Sequence, residues 1–349
     1  MAIATDTLST PRLRVAISGG GPAGLAAAIA LLGKPGFEVT IYEQATELRE
    51  VGAGLRVGYN SWRVLELLGV ADKVHGHIKV DHQHRDGVTG EQLFKYPPYE
   101  GEWRYHDTRV RRTVLQDALK SRVPSDIIQL KKRLVTVAQQ SQGGVRLDFE
   151  DVVSNQEEID AGKGLWELTL RAYEDPAEAK GKKYSWGIPV SNERVASHFT
   201  AFTPEIREAI DKVPEGTWKE FSAFSGPRLQ TVIDHGNTVL IGDASHPLLG
   251  AFGAGAGFAM EDGWLLAQVL DFYLDRYRND RKAALHDALD LFDQTRSPYY
   301  HRVYDVLDAK PEGGKKIDYA SWSPTPGGPL DWIYFHDIEE EWQQIRERL

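Results

Sequence analysis

Gly19, Gly21 and Gly24 stand in the order G-x-G-x-x-G between a β-branched stretch and an Ala/Leu-rich run. In such a turn the first glycine allows the tight bend and the second lets a pyrophosphate approach the backbone. The third lets the following helix pack closely on the strand. The helix N-terminus then turns free N–H groups and a partial positive charge toward the anion. Glu43 ends the next apolar stretch about twenty residues on, where a carboxylate accepts hydrogen bonds from an adenosine ribose. Its neighbours are Tyr42 and Gln44, with no arginine to accommodate a 2′-phosphate, so the pattern predicts FAD or NAD rather than NADP at this turn.

A second glycine-rich segment, VLIGDASHPLLGAFGAGAGFAMED, fills residues 239–262. Asp243, Ser245 and His246 are too close in sequence to form a hydrolytic triad, whose members converge from separate segments. Gly253, Gly255 and Gly257 instead predict a nest of backbone N–H groups at a helix start, able to stabilise an anion. His75, His77, His82 and His84 are spaced as H-x-H-x4-H-x-H. Two-residue spacing puts side chains on one strand face, and no carboxylate ligand motif surrounds them, so they read as polar strand and turn positions and no metal site is expected. Nine Trp and fourteen Tyr read as core and pocket walls, which suit a planar aromatic ligand.

The elements that must hold these residues follow from periodicity. Residues 12–18 read as a strand, 23–32 as a helix and 37–42 as a second strand. A right-handed crossover makes those strands parallel and the fold class α/β. Helices are predicted at 60–68, with a cap, and at 109–121, and strands at 127–138 and 145–149. The polar, acidic residues 151–164 read as a boundary or loop, and 166–172 with 184–190 as a small sheet. A buried strand at 237–241 and long helices at 256–277 and 281–307 complete the pattern.

A length of 349 residues allows roughly two domains. The net charge of −10 argues against a nucleic-acid partner, whose affinity rests on neutralised phosphates. Without cysteine there is no disulfide framework, cysteine-ligated zinc, iron–sulfur cluster or thiol nucleophile. MAIATDTLST lacks the basic flank and apolar run of a secretory signal, and no apolar window is long enough to span a bilayer. The expectation is therefore a cytoplasmic protein with no membrane anchor.

Several motifs together resemble the FAD-dependent aromatic hydroxylases, the single-component flavoprotein monooxygenases typified by salicylate and para-hydroxybenzoate hydroxylase. They are the first glycine turn with Glu43, the GAG ending at Gly54, R-x-x-L from Arg112 to Leu115, and GDASHP followed by GAGAGFAMED. DWIYFHDIEEEW, residues 331–342, looks like the tail of fungal members. The resemblance covers roughly residues 12–150 and 165–345.

It implies a Rossmann-like FAD-binding domain, a reduced β-sheet substrate domain and C-terminal helices. Residues 1–150 would be the first part of the FAD domain and 151–235 the shortened sheet. Residues 236–310 would be the second part with the long helices, and 311–349 a tail. Glu43 would bind the adenosine ribose, Arg112 would lie along the flavin chain, and Asp243 would hold the ribityl or pyrophosphate part. The backbone at Gly255 and Ala256 would face the isoalloxazine. Gly54 and Arg56 would lie beside the cofactor, Arg56 where relatives often carry a small residue. NAD(P)H would reduce the flavin, and oxygen would be transferred to an electron-rich carbon of an aromatic or polyketide-like substrate.

The sequence also departs from the family. The GADG segment expected after residues 145–149, and several strands of a substrate-covering sheet, are missing. Gly250 or Ala251 replaces a proline, and Ala254 and Gly257 replace the frequent Gln and Asn, which removes side chains but keeps backbone donors. No catalytic side chain carries over. Two rival readings follow: a degenerate, non-catalytic flavoprotein homologue, and an NAD-dependent dehydrogenase using the first motif alone. The second glycine segment argues against the dehydrogenase.

Overall fold

The computed structural model describes residues 12–48, 54–79, 83–96, 100–102, 105–141, 144–151, 186–221, 228–248, 250–309 and 324–349. Strand β1 (Leu13–Ser18), helix α1 (Pro22–Leu32) and strand β2 (Phe37–Tyr42) form the expected unit. The strands pair in parallel from Leu13 opposite Phe37 to Ser18 opposite Tyr42. Pro22 opens α1 where a missing N–H costs nothing. The alanine-rich run that follows is buried on nearly every side, as a helix enclosed between a sheet and a second helix must be.

Strand β3 (Leu55–Val57) leads into α2 (Tyr59–Leu67), followed by β4 (His77–Ile78), β5 (Gln83–Arg85), β6 (Gln92–Lys95), β7 (Thr108–Val110) and α3 (Arg112–Lys120). Two expectations are corrected here. Gly58, which has no side chain to offer, stands at the N-cap of α2, while Asn60 lies inside the helix and is buried. The helix expected from residue 109 begins at Arg112, because Thr108, Arg109 and Val110 are drawn into a sheet, antiparallel to both β3 and β4.

Strand β8 (Ile128–Gln129) extends the parallel sheet, with Ile41 opposite Ile128. The strand expected over 127–138 is therefore two strands. Lys131 turns with φ of 61°, and the chain leaves as β9 (Lys132–Gln139) to pair antiparallel with β10 (Val145–Asp151). The break is held by Lys131 N–H to the Ala45 carbonyl (3.1 Å) and Lys132 N–H to the Glu43 carbonyl (2.8 Å).

Strands β11 (Trp186–Pro189) and β12 (Lys219–Phe221) pair antiparallel around α4 (Asn192–His198) and α5 (Pro204–Asp211). The strand predicted at 184–190 thus appears as β11. The loop predicted at 151–164, beyond Asp151, and the strand predicted at 166–172 lie outside the described residues. The strand predicted at 237–241 contracts to a two-residue hairpin arm. β13 (Ile233–Asp234) and β14 (Thr238–Val239) flank a turn whose His235 and Gly236 both have positive φ, and two such residues suit a tight hairpin.

Helices α6 (Gly255–Arg276) and α7 (Arg281–Asp308) match their expected positions, and the tail adds α8 (Asp331–Tyr334) and α9 (Ile338–Arg346). Asp280 caps α7 by accepting Ala283 N–H at 3.0 Å, and Asp337 caps α9 by accepting Glu339 N–H at 3.0 Å. Helix α6 lies against α1 with Gly263 at the closest approach: a Cβ there would fall 2.5 Å from the Ala27 nitrogen and 2.7 Å from the Ala23 oxygen. The main core gathers α1, α2, α3, α6, the start of α7 and β2. A smaller one joins Leu248, Phe258, Tyr300 and Tyr304 to Ile333 and Tyr334 of the tail. No helix among the described residues is long and apolar enough to cross a membrane.

Candidate functional site

Each glycine of the first turn occupies the place its spacing demands. Gly19 has φ of 110°, open only to glycine at low cost, and its N–H donates to the Tyr42 carbonyl at 2.8 Å. A Cβ on Gly21 would meet nothing within 4 Å, so this position faces open space. A Cβ on Gly24 would collide with the Gly19 carbonyl oxygen and lie 3.0 Å from the Ile17 side chain, so helix and strand touch here. Glu43 reaches back into the turn. Its Oε2 accepts Gly20 N–H at 2.7 Å and its Oε1 accepts Ala45 N–H at 2.8 Å. A carboxylate has about four lone-pair sites, so acceptor capacity remains for a ribose. Gln116 of α3 donates to the Gly20 carbonyl at 3.4 Å, which brings the start of the Arg112 helix beside the turn.

The second glycine segment packs against the same end of α1. Gly242 (φ 60°) fits against α1, where a Cβ would lie 2.9 Å from that of Ala23. Asp243 follows it in a short 3-10 turn and is exposed. Gly250, Phe252 and Gly253 all have positive φ, which folds the chain tightly before α6. Gly255 and Ala256 open that helix, and a Cβ on Gly255 would again meet nothing within 4 Å. Open faces at Gly19, Gly21 and Gly255, with Glu43 at one end, form a cradle suited to an extended dinucleotide. Gly54 precedes β3, and the rest of its GAG lies outside the described residues.

Beneath the α6 end of the cradle lies a charged network that the sequence reading did not anticipate. Asp262 is fully buried and accepts Gly242 N–H (2.9 Å), Arg296 Nε (2.7 Å) and the Tyr300 hydroxyl (2.6 Å), and its Oδ2 lies 2.8 Å from His246 Nε2. Burial pushes its carboxyl up, but Arg296, His246 and Tyr300 outweigh burial and hold it at about 2. Asp262 therefore pins the Gly242 loop to α6 and α7. Glu261 beside it meets Arg296 Nη2 (3.2 Å), Asn60 Nδ2 (3.3 Å) and His336 (3.2 Å). His246 and Ser245 are consumed structurally, the serine hydroxyl donating to the Gly242 carbonyl at 2.9 Å.

His336 is a pH-sensitive part of this network. Burial lowers its affinity for a proton, but Glu261 of α6 and Glu341 of α9 reverse that and raise it to about 9, with Arg296 of α7 opposing them. Tyr299 of α7, also against the ring, is pushed well above the phenol range by burial and stays neutral. A folded-state value above the ordinary 6.5 means that the stabilisation is complete below that pH and fades as pH rises through about 9. Thermal melts between about pH 6 and 10 should show His336→Gln less stable than the wild type by up to about 3 kcal/mol at the acid end, and the two converging at the alkaline end. A constant gap would disprove the ionic role.

Among the histidines noted in the sequence, His77 lies on β4, and His84 on β5 bonds the Tyr96 hydroxyl at 2.8 Å. His82 lies outside the described residues. Arg56 is buried on β3. Its stem lies against Gly253, Nε donates to Asp107 Oδ2 at 2.9 Å, and the guanidinium sits 4.8 Å from the centre of the Tyr334 ring.

Residues 12–162 match the family described as FAD binding domain. The chain is 27% identical to 3-hydroxybenzoate 6-hydroxylase of Polaromonas naphthalenivorans over 74% of its length and 79% of that protein's. It is 25% identical to a salicylate hydroxylase of Pseudomonas putida over 97% and 95%. That alignment runs to 430 positions, so the relative carries several tens of residues that this 349-residue chain lacks. A solved structure of CtdE with FAD and a substrate superposes with a TM-score of 0.66 at 17% identity, covering 96% of this chain and 99% of that one. With the glycine turns between Glu43 and Gly255, these relationships show a chain that carries an FAD binding domain over residues 12–162 and is similar along most of its length to FAD-dependent aromatic hydroxylases.

Proposed function

We propose that this protein hydroxylates an aromatic small molecule, using FAD, NAD(P)H and oxygen. The observation that carries the reading is the pair of glycine-built turns, with open Cβ directions at Gly19, Gly21 and Gly255 that leave room for a cofactor. Bound FAD would supply electron transfer from the nicotinamide and the activation of oxygen. The chain's residues do the rest. Glu43 would hold the ribose, the N–H groups after Gly21 would face the pyrophosphate, and Arg112 and Asp243 would lie along its chain. Gly54 would lie beside the cofactor. The first N–H groups of α6, at Gly255 and Ala256, would stabilise negative charge on the ring. A benzoate-like or polyketide-derived ring is the substrate favoured by the relatives' own substrates.

The purified protein should be yellow and should oxidise NADH or NADPH faster when a phenolic substrate is added. Gly21→Val should abolish flavin uptake and leave the melting temperature of the flavin-free protein unchanged, because its side chain enters empty space. A colourless protein that FAD cannot reconstitute would refute the proposal. The missing residues favour one second reading, a flavin-binding homologue without hydroxylase activity. Bound flavin that neither nicotinamide reduces would support it.

A further inference from the structure

Strand β10 pairs with β9 along one edge, and among the described residues no strand lies along the other. An open edge is a template for a further strand unless proline, a bulge or like charge blunts it. β10 has no proline, and its charges are of both signs. The irregularity in its ladder falls on β9, where Val135 is the extra residue between Leu134, opposite Phe149, and Thr136, opposite Asp148. Gln140 N–H donates to the Gly144 carbonyl at 3.0 Å, so that pair is a hydrogen-bonded one. Bonded and non-bonded pairs alternate along an antiparallel ladder. Arg146 and Asp148 therefore turn their backbone groups toward β9, and Val145, Leu147 and Phe149 turn theirs to the open edge. Side chains alternate as well. Val145, Leu147 and Phe149 share one face, where Phe149 stacks on Tyr42 at 4.4 Å between ring centres. Arg146 and Asp148 share the other, 3.2 Å apart, with side chains 63% and 48% exposed.

We propose that this edge pairs with β10 of a second copy of the chain, antiparallel about a two-fold axis at Leu147. Two-fold symmetry sets residue i against j and j against i. With the axis at Leu147, Val145 falls opposite Phe149 of the second copy and Leu147 opposite itself, and these pairs are bonded through the backbone groups that face the open edge. Arg146 falls opposite Asp148 in a non-bonded pair, where side chains come closest, and the symmetry repeats that pair. The segment Val145 to Phe149 is thus complementary to itself: apolar meets apolar on one face, and cation meets anion on the other. An axis at Arg146 or at Asp148 would instead set that charge against its own copy, and a slip of one residue would set Leu147 against Asp148. One pair of strands is a small interface, so the dimer is weak and its population follows concentration.

The test follows the mass of the full chain by analytical ultracentrifugation over about a hundredfold range of concentration. The wild type should pass from monomer to dimer. Arg146→Asp sets acid against acid twice across the axis, and Asp148→Arg sets base against base. Each alone should weaken the dimer at least about tenfold. Mixed together, the two variants regain both opposite-charge pairs, and a mixed dimer within about threefold of the wild-type affinity should form. Both side chains are largely exposed, so each variant should melt as the dilute wild type does, which separates lost pairing from lost folding. The chain has no cysteine, so Leu147→Cys gives an independent readout. Its thiol faces its own copy with Cα atoms about 5.5 Å apart, within reach of a disulfide, and oxidation should yield a crosslinked dimer. A wild type that stays monomeric would overturn the inference, leaving the edge to the chain's own residues or to water. So would a dimer that both charge reversals leave intact. A mixture of the two that stays monomeric, or no crosslink where the wild type is dimeric, would overturn the axis at Leu147 and the pairing with it.

Discussion

Arg296→Leu should destabilise the protein by about 3–5 kcal/mol, the cost of breaking a buried ion pair on one side. The guanidinium is fully buried between Asp262, at 2.7 Å, and Glu261, at 3.2 Å, and the Tyr300 hydroxyl accepts from it at 2.6 Å. Leucine fills part of the volume but leaves two carboxylates in a low-dielectric interior with His336, against Glu261, as the remaining cation. Domains of this kind have only about 5–15 kcal/mol in total, so the variant sits near the limit of folding. The damage should also reach the cradle, because Asp262 holds Gly242 N–H and through it the loop bearing Asp243. Arg296→Lys should fall between the two, since a single ammonium cannot match the two directions in which Nε and Nη2 bond. Denaturant melts with and without FAD measure both effects. A loss below about 1 kcal/mol would show that neighbouring groups, His336 among them, already neutralise the acids.

That network marks where the sequence stopped being legible. The glycine turn could be read because its chemistry is local: Gly19, Gly21 and Gly24 act on one another within six residues, and Glu43 arrives by the shortest crossover. The charged network is assembled from Asn60, His246, Glu261, Asp262, Arg296 and His336, which belong to different elements and meet only once α2, α6, α7 and the tail have packed. In GAGAGFAMED the glycines drew the reading. The signal passed over was the last two letters, adjacent acids in a run whose neighbours Phe258 to Leu266 are all buried. Buried carboxylates demand a partner, and an arginine on the next long helix was the candidate.

The strand errors have the same origin. Residues 127–138 are rich in aliphatic residues and contain no glycine or proline to end a strand. The division at Lys131 is imposed by β2, which takes Ile128 and Gln129 into its own sheet, and by the Glu43 carbonyl, which claims Lys132 N–H. Similarly, Thr108–Val110 carried helix-compatible neighbours, but Leu55–Val57 needed a partner strand. The long helices, in contrast, came within a residue or so of their bounds, because each carries its own periodicity.

Gly263→Ala should be disproportionately harmful for so small a change, and the sign of its effect is diagnostic. In an ordinary helix interior, replacing glycine with alanine stabilises by up to about 1 kcal/mol. Here the new methyl would sit 2.5 Å from the Ala27 nitrogen and 2.7 Å from the Ala23 oxygen, both backbone atoms that cannot rotate aside. Helices α1 and α6 must separate, at about 1–3 kcal/mol for an overpacked contact. The separation falls where it matters: α1 begins at the glycine turn, α6 begins at Gly255, and Gly242 is wedged against Ala23 between them. FAD must bridge both walls, so its affinity should fall at least tenfold even where the protein still folds. Gly33→Ala, at the end of the same α1 with φ of −68° and no atom nearer than 3.6 Å to the added carbon, should be neutral or stabilising. Melting temperatures and FAD titrations of the two variants form the comparison. If Gly263→Ala proved as benign as Gly33→Ala, the two helices would be free to slide, and the rigid cradle inferred from their contact would not exist.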